Sequence, residues 1–157
     1  MKVLDRAVKA ELPHPFSVVE INHVVNHSAG TIRGFHFQHS PFQEAKVLTV
    51  LRGSIYDVLC SLHPAEPDAP RYIPFALHAR DADALYIPPG YAHGYQTYED
   101  DTVMLYLHNE DYDPMRYARF NPLDPELAVP WPLAVSEISD ADREAPTWRS
   151  VYQRFQG

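Results

Sequence analysis

Turn signals cut this chain into short pieces. Eight runs of alternating or continuous apolar residues (17–25, 31–38, 45–51, 54–62, 72–77, 84–89, 94–98 and 102–108) are separated by segments rich in Gly, Pro, Asp and Ser. Runs this short, repeating at this spacing, predict β-strands that bury one face, and a set of them predicts a sandwich or barrel. A double-stranded jelly roll is the favoured form. No long segment before residue 136 has helical periodicity. Residues 111–135 hold five prolines and are expected to form an ordered loop over the barrel. The tail after it predicts a short helix capped by Ser139 or Asp140.

At 157 residues the chain reads as one domain, 1–157, with enough length for a sizeable core. A net charge of −8 and the absence of any basic stripe argue against nucleic acid as a partner. A negatively charged small ligand needs only a local cluster of Arg, Lys and His. The single cysteine, Cys60, sits in an apolar run and is expected to be a buried thiol. The first residues lack the apolar core of a signal peptide, and no run reaches membrane-spanning length, so a soluble cytoplasmic protein is expected.

Polar residues interrupt the strand pattern where a core would need Val and Leu. His36 and Gln38 share a face of one predicted strand, Lys46 starts the next, and Asp57 lies with Ile55 and Leu59. Tyr106 lies with Met104. Arg33 and His93 complete the inward candidates. A Gly followed by His36-Phe-Gln38, with Pro88-Pro-Gly90 preceding His93 by three residues, is the outline of a cupin, a small jelly-roll barrel that often holds a metal on three histidines and a glutamate. Here Gln38 replaces the second histidine and Glu44 falls in the predicted turn, leaving only His36 and His93 as good ligands. No metal and no other cofactor is expected. A base, a fixed cation and a phenol in one barrel suit proton transfer next to a carbonyl. His36 would take a proton from carbon, Lys46 would stabilise the enolate oxygen, and Tyr106 would return a proton from the other side. Asp57 is expected to pair with Lys46. His14, His39, His63 and His78 are expected in solvated turns. Phe35, Phe37, Trp131 and Trp148 are expected to pack.

Arg33-Gly-Phe-His36, Gly53-Ser-Ile-Tyr-Asp57-Val, Pro88-Pro-Gly90-Tyr-Ala-His93-Gly and Asp124-Pro ahead of Trp131-Pro, taken together, resemble the dTDP-4-dehydrorhamnose 3,5-epimerase family over about residues 22–146. The resemblance implies a metal-free jelly-roll homodimer that epimerises a nucleoside-diphosphate 4-keto-6-deoxy sugar at carbons 3 and 5. It makes His36 the base, Lys46 the carbonyl contact and Tyr106 the proton donor. It adds Asp142, three residues after Ser139, as the acid that orients His36. It also implies that Arg33, His93 and Tyr112 bind substrate, and the inward-facing Gln38 and Asp57 are expected to join them. The family's Arg-Gly-x-Phe-x-Glu stretch is absent from residues 1–20, its Gln-x-Asn is replaced around Asn22 and Asn26, its Asp-x-Arg reads Ser61-Leu-His63, and Tyr117 stands where a glutamate is usual. These departures leave the nucleotide base open. A ketoisomerase, a metal-dependent cupin and an inactive sugar-binding cupin are the competing expectations.

Overall fold

The computed structural model describes residues 6–39, 44–62 and 71–155. His63, the expected turn at 63–70, most of the 38–44 turn and the first five residues lie outside that set. Among the described residues nine strands form two antiparallel sheets. One contains β1 (Glu20–Asn26), β8 (Thr102–His108), β3 (Lys46–Arg52) and β6 (Ala84–Ile87), side by side in that order. The other runs β5 (Tyr72–His78), β4 (Ser54–Ser61), β7 (Tyr91–Thr97), β2 (Ile32–Gln38) and β9 (Tyr117–Arg119). This is the jelly-roll arrangement that the strand count and spacing predicted.

Period-two alternation explains the layers. On β4, Ile55 and Leu59 point between the sheets, where they meet Leu48, Val50, Leu77, Ile87 and Met104. Val58 and Cys60 point the other way. There they pack with Phe35, Phe37, Phe120, Leu127, Trp148 and Val151, so the proline-rich segment and the last helix cover the outer face of the five-stranded sheet. Trp131 joins the same cluster, which gives all four expected packing aromatics that role. Burial pushes the Cys60 thiol up to about 12, and the expected inert cysteine is found.

Three details differ from the sequence reading. The 111–135 segment is not all loop, because β9 pairs with β2 through Phe37 and Ala118. Residues 91–93, outside the predicted runs, belong to β7 (Tyr91–Thr97), whose His93 pairs with His36. The tail splits in two: Ser139 caps α2 (Asp140–Arg143), and Pro146 precedes α3 (Trp148–Phe155). A short helix, α1 (Arg6–Glu11), precedes the first strand.

Gly34 fixes how β2 presents its catalytic-looking face. Its φ is +118°, and a Cβ there would sit 2.5 Å from the Cα of Gly94. Two glycines therefore let β2 and β7 approach, and the register slips between Arg33 and His36. Such a bulge re-aims the side chain that follows it, here His36.

Candidate active site

The inter-sheet space is apolar at one end and opens at the other into a cavity of about 530 Å³. Arg33, His36, Gln38, Lys46, His93, Tyr106 and Tyr112 all line it, so seven of the nine expected site residues meet there. The other two stand behind the wall. Asp142 is buried on α2 and reaches His36. Asp57 is fully buried behind His93. Asp57 therefore does not line the cavity and does not pair with Lys46. It accepts from His93 Nε2 at 2.6 Å.

Asp142 is the most connected group of the site. Its Oδ1 accepts from His36 Nε2 at 2.7 Å and from the Arg119 guanidinium at 3.0 Å, and its Oδ2 faces the Gly34 amide at 3.4 Å. The Ser139 hydroxyl accepts from the Asp142 amide at 3.1 Å. Burial pushes the Asp142 carboxyl up, but the hydrogen bonds from His36 and around the cap outweigh it and leave the group below its ordinary range. An ionised carboxylate only accepts, so His36 carries its proton on Nε2 and keeps a lone pair on Nδ1. Burial lowers the His36 pKa below 6.5, with Lys46 and Arg119 adding to that and Asp142 opposing it. The imidazole is neutral near pH 7, as a base must be.

The four-stranded sheet supplies the facing wall. Tyr106 is buried, its ring 5.8 Å from His93, and burial holds its phenol well above 10, so it remains protonated. Lys46 lies 3.2 Å from Glu44, whose other oxygen accepts from His108 Nδ1 at 2.7 Å. Gln38 ties the rim: its amide donates to the Asp111 carbonyl at 3.2 Å and accepts from the Asp113 amide at 2.8 Å. Arg33 contacts Glu137 at 2.5 Å, and Tyr112 is 57% exposed at the mouth.

Sequence reasoning missed several lining residues, Glu20, Tyr95, His108 and Arg119, and noted Tyr117 only as standing where the family has a glutamate. Glu44 enters the sequence reading only as a displaced metal ligand, whereas it lies two residues ahead of Lys46 at the start of β3, with most of its side chain buried. His108 carried a usable signal, since it is two residues beyond Tyr106 on the same strand. Arg119 had none, lying on a strand that looked like loop. His78 was expected in a turn but ends β5 and stacks on Tyr98 at 6.4 Å. Among the described residues no group of three or more His, Cys, Asp or Glu side chains is arranged to hold a metal.

A polar pocket between the sheets of a small jelly roll, floored by imidazole–carboxylate pairs and faced by a phenol and an ammonium, defines a cupin-type site for acid–base chemistry. The chain belongs to the dTDP-4-dehydrorhamnose 3,5-epimerase family, whose profile matches residues 4–150. The Mycobacterium tuberculosis dTDP-4-dehydrorhamnose 3,5-epimerase is 34% identical over 150 residues, 94% of this chain and 74% of that protein. A Streptomyces dTDP-4-dehydro-6-deoxyglucose 3-epimerase is 33% identical over 85% of this chain and 68% of its own length. Among solved structures, the Bacillus anthracis dTDP-4-dehydrorhamnose 3,5-epimerase with TDP and pyrophosphate bound superposes with a TM-score of 0.86 at 34% identity, covering 93% of this chain and 83% of that one. The Streptomyces bikiniensis 3'-monoepimerase in complex with dTDP-quinovose gives 0.85 at 27% identity, covering 99% and 86%.

Proposed function

We propose that this protein epimerises a nucleoside-diphosphate 4-keto-6-deoxy sugar at carbon 3, carbon 5 or both, with His36 as base and Tyr106 as acid. The observation that carries this reading is the opposition of the two groups. His36, backed by Asp142, and Tyr106, on the other sheet, line one cavity with Lys46 beside them.

The Nδ1 lone pair of His36 takes the proton from the carbon next to the ketone. The electron pair of that C–H bond moves to the carbonyl oxygen, and the resulting enolate is stabilised by the Lys46 ammonium beside it. Tyr106 gives its proton to the same carbon from the opposite face, which inverts the centre. Arg119 and Asp142 hold the imidazole in the tautomer this requires. Arg33 at the rim suits a diphosphate, which Arg recognises through its fork of donors, and the exposed Tyr112 ring suits a nucleotide base. Relatives that bind dTDP or TDP support a thymidine nucleotide, and we place the enzyme in the cytoplasm as a single-domain homodimer that needs no metal.

The test is proton exchange. Incubated in heavy water with dTDP-, GDP- and CDP-linked 4-keto-6-deoxy sugars, the protein should introduce deuterium at carbon 3 or carbon 5 of at least one of them, read by NMR. No exchange with any member of the panel would sink the reading.

A further inference from the structure

The four-stranded sheet brings a second hydrogen-bonded system into the cavity that the steps above leave idle. Glu20, His108 and Lys46 are consecutive partners across β1, β8 and β3. Asn22 and Tyr106 face each other one rung deeper. Residues directly opposed on antiparallel strands project to the same face, so these side chains form one continuous polar wall. Glu44 stands at its edge and touches two of them.

The wall fixes the state of His108. The Asn22 amide nitrogen lies 2.6 Å from a Glu20 carboxylate oxygen, so it is the NH2 group that points there. The same nitrogen is 3.3 Å from His108 Nε2 and can only donate, so Nε2 accepts. On the other side of the ring, Glu44 takes the Nδ1 proton at 2.7 Å. The His108 hydrogen bond and the Lys46 ammonium outweigh burial and keep the Glu44 carboxyl below its ordinary range, so it is an acceptor at both oxygens. Two neighbours dictate one tautomer, with the proton on Nδ1 and the lone pair on Nε2.

We propose that Glu44 is a positioning residue with two dependents: it holds the Lys46 ammonium for the substrate's ketone oxygen, and it locks His108 in the Nδ1–H tautomer whose Nε2 anchors the Asn22 amide on the cavity wall. The proposal deepens the keto-sugar reading and rests on it. A carboxylate is the group this task needs. A glutamine would offer only one acceptor. Its NH2 would then face either the Lys46 ammonium, donor against donor, or His108 Nδ1, which would move the ring proton to Nε2 and set it against the Asn22 amide. Either way one dependent loses its place.

The test uses the full chain labelled with 15N-histidine, the His108 signals being assigned by their loss in His108→Gln. In the unmutated protein His108 should show the Nδ1–H signature, and in Glu44→Gln that signature is lost where the new NH2 turns to His108 and kept where it turns to Lys46, with kcat falling in both cases. With the exchanging substrate, Glu44→Gln should lower kcat about 10- to 100-fold, as expected when a reacting group is misplaced by about an ångström, and Glu44→Asp should recover part of it. An Nε2–H signature in the unmutated protein, or a Glu44→Gln kcat within about twofold of the parent, overturns the proposal. If no sugar exchanges with the parent protein, the keto-sugar reading fails on that result, and the tautomer measurement, which needs no substrate, still decides whether Glu44 locks His108.

Discussion

The two walls of the cavity solve opposite problems. The five-stranded sheet presents imidazoles, and behind each stands a buried carboxylate: Asp142 behind His36 and Asp57 behind His93. The four-stranded sheet presents a phenol, an ammonium and His108, and its carboxylate, Glu44, lies among them. One wall offers the lone pair of a carboxylate-backed imidazole, and the other offers the hydroxyl of a phenol and the amine of Lys46. Burial drives both, since desolvation disfavours whichever form carries charge. It lowers the pKa of His36 and raises that of Tyr106. The same physical cause therefore leaves a neutral imidazole on one sheet and a protonated phenol on the other.

Removing the base should have the largest effect. His36→Asn keeps a polar group of similar reach but no basic nitrogen, and turnover should fall about 1,000-fold or more, within the range general bases supply. Solvent exchange into substrate should disappear with it, and exchange that persists would show that another group abstracts the proton. Tyr106→Phe breaks the opposite wall and should separate two events. Inversion should fall about 100-fold or more, while deuterium still enters from the His36 side with retention of configuration. Loss of exchange and inversion in equal measure would place Tyr106 in proton abstraction too. Gly34→Ala attacks the scaffold beneath the base. Positive φ and a clash with the Gly94 backbone should cost about 2–3 kcal/mol of stability, measured by denaturant unfolding. A neutral result would mean the β2–β7 approach is softer than its geometry implies.

Alternation made most of this architecture readable in advance. Strands such as 54–61 announce their faces, so Asp57 and Tyr106 could be assigned inward from parity alone. Position along the chain could not say which inward groups would meet. Lys46 and Asp57 share the interior, yet Glu44 captures the lysine and His93 the aspartate. Partner choice depends on sub-ångström placement across sheets, which periodicity does not encode. Asp142 was reached only through a family likeness, because a first-turn acid on a one-turn helix is an ordinary capping feature. Arg119 was invisible for a different reason: β9 is three residues long and set among prolines, so its pairing to β2 comes from tertiary contacts rather than propensity.

The smallest effect concerns acid stability, and it separates the walls without any substrate. The His36 pKa lies below 6.5 in the folded protein because burial penalises the imidazolium. A lowered pKa means the unfolded chain binds the proton first, so stability is complete above pH 6.5 and declines as pH falls through and below it. Asp142 shifts the same way, but its contribution begins to fade only as pH falls below its ordinary 3.8. Between pH 6.5 and 5 the decline traced to this dyad therefore belongs to His36. His36→Asn should lower Tm less than the parent does over that interval, by thermal unfolding in buffers of equal ionic strength. Tyr106→Phe should track the parent, because a phenol held well above 10 exchanges no proton in that range. If His36→Asn and the parent lose stability in parallel, the imidazole is not the desolvated group that the base wall requires, and the contrast between the two sheets loses its physical origin.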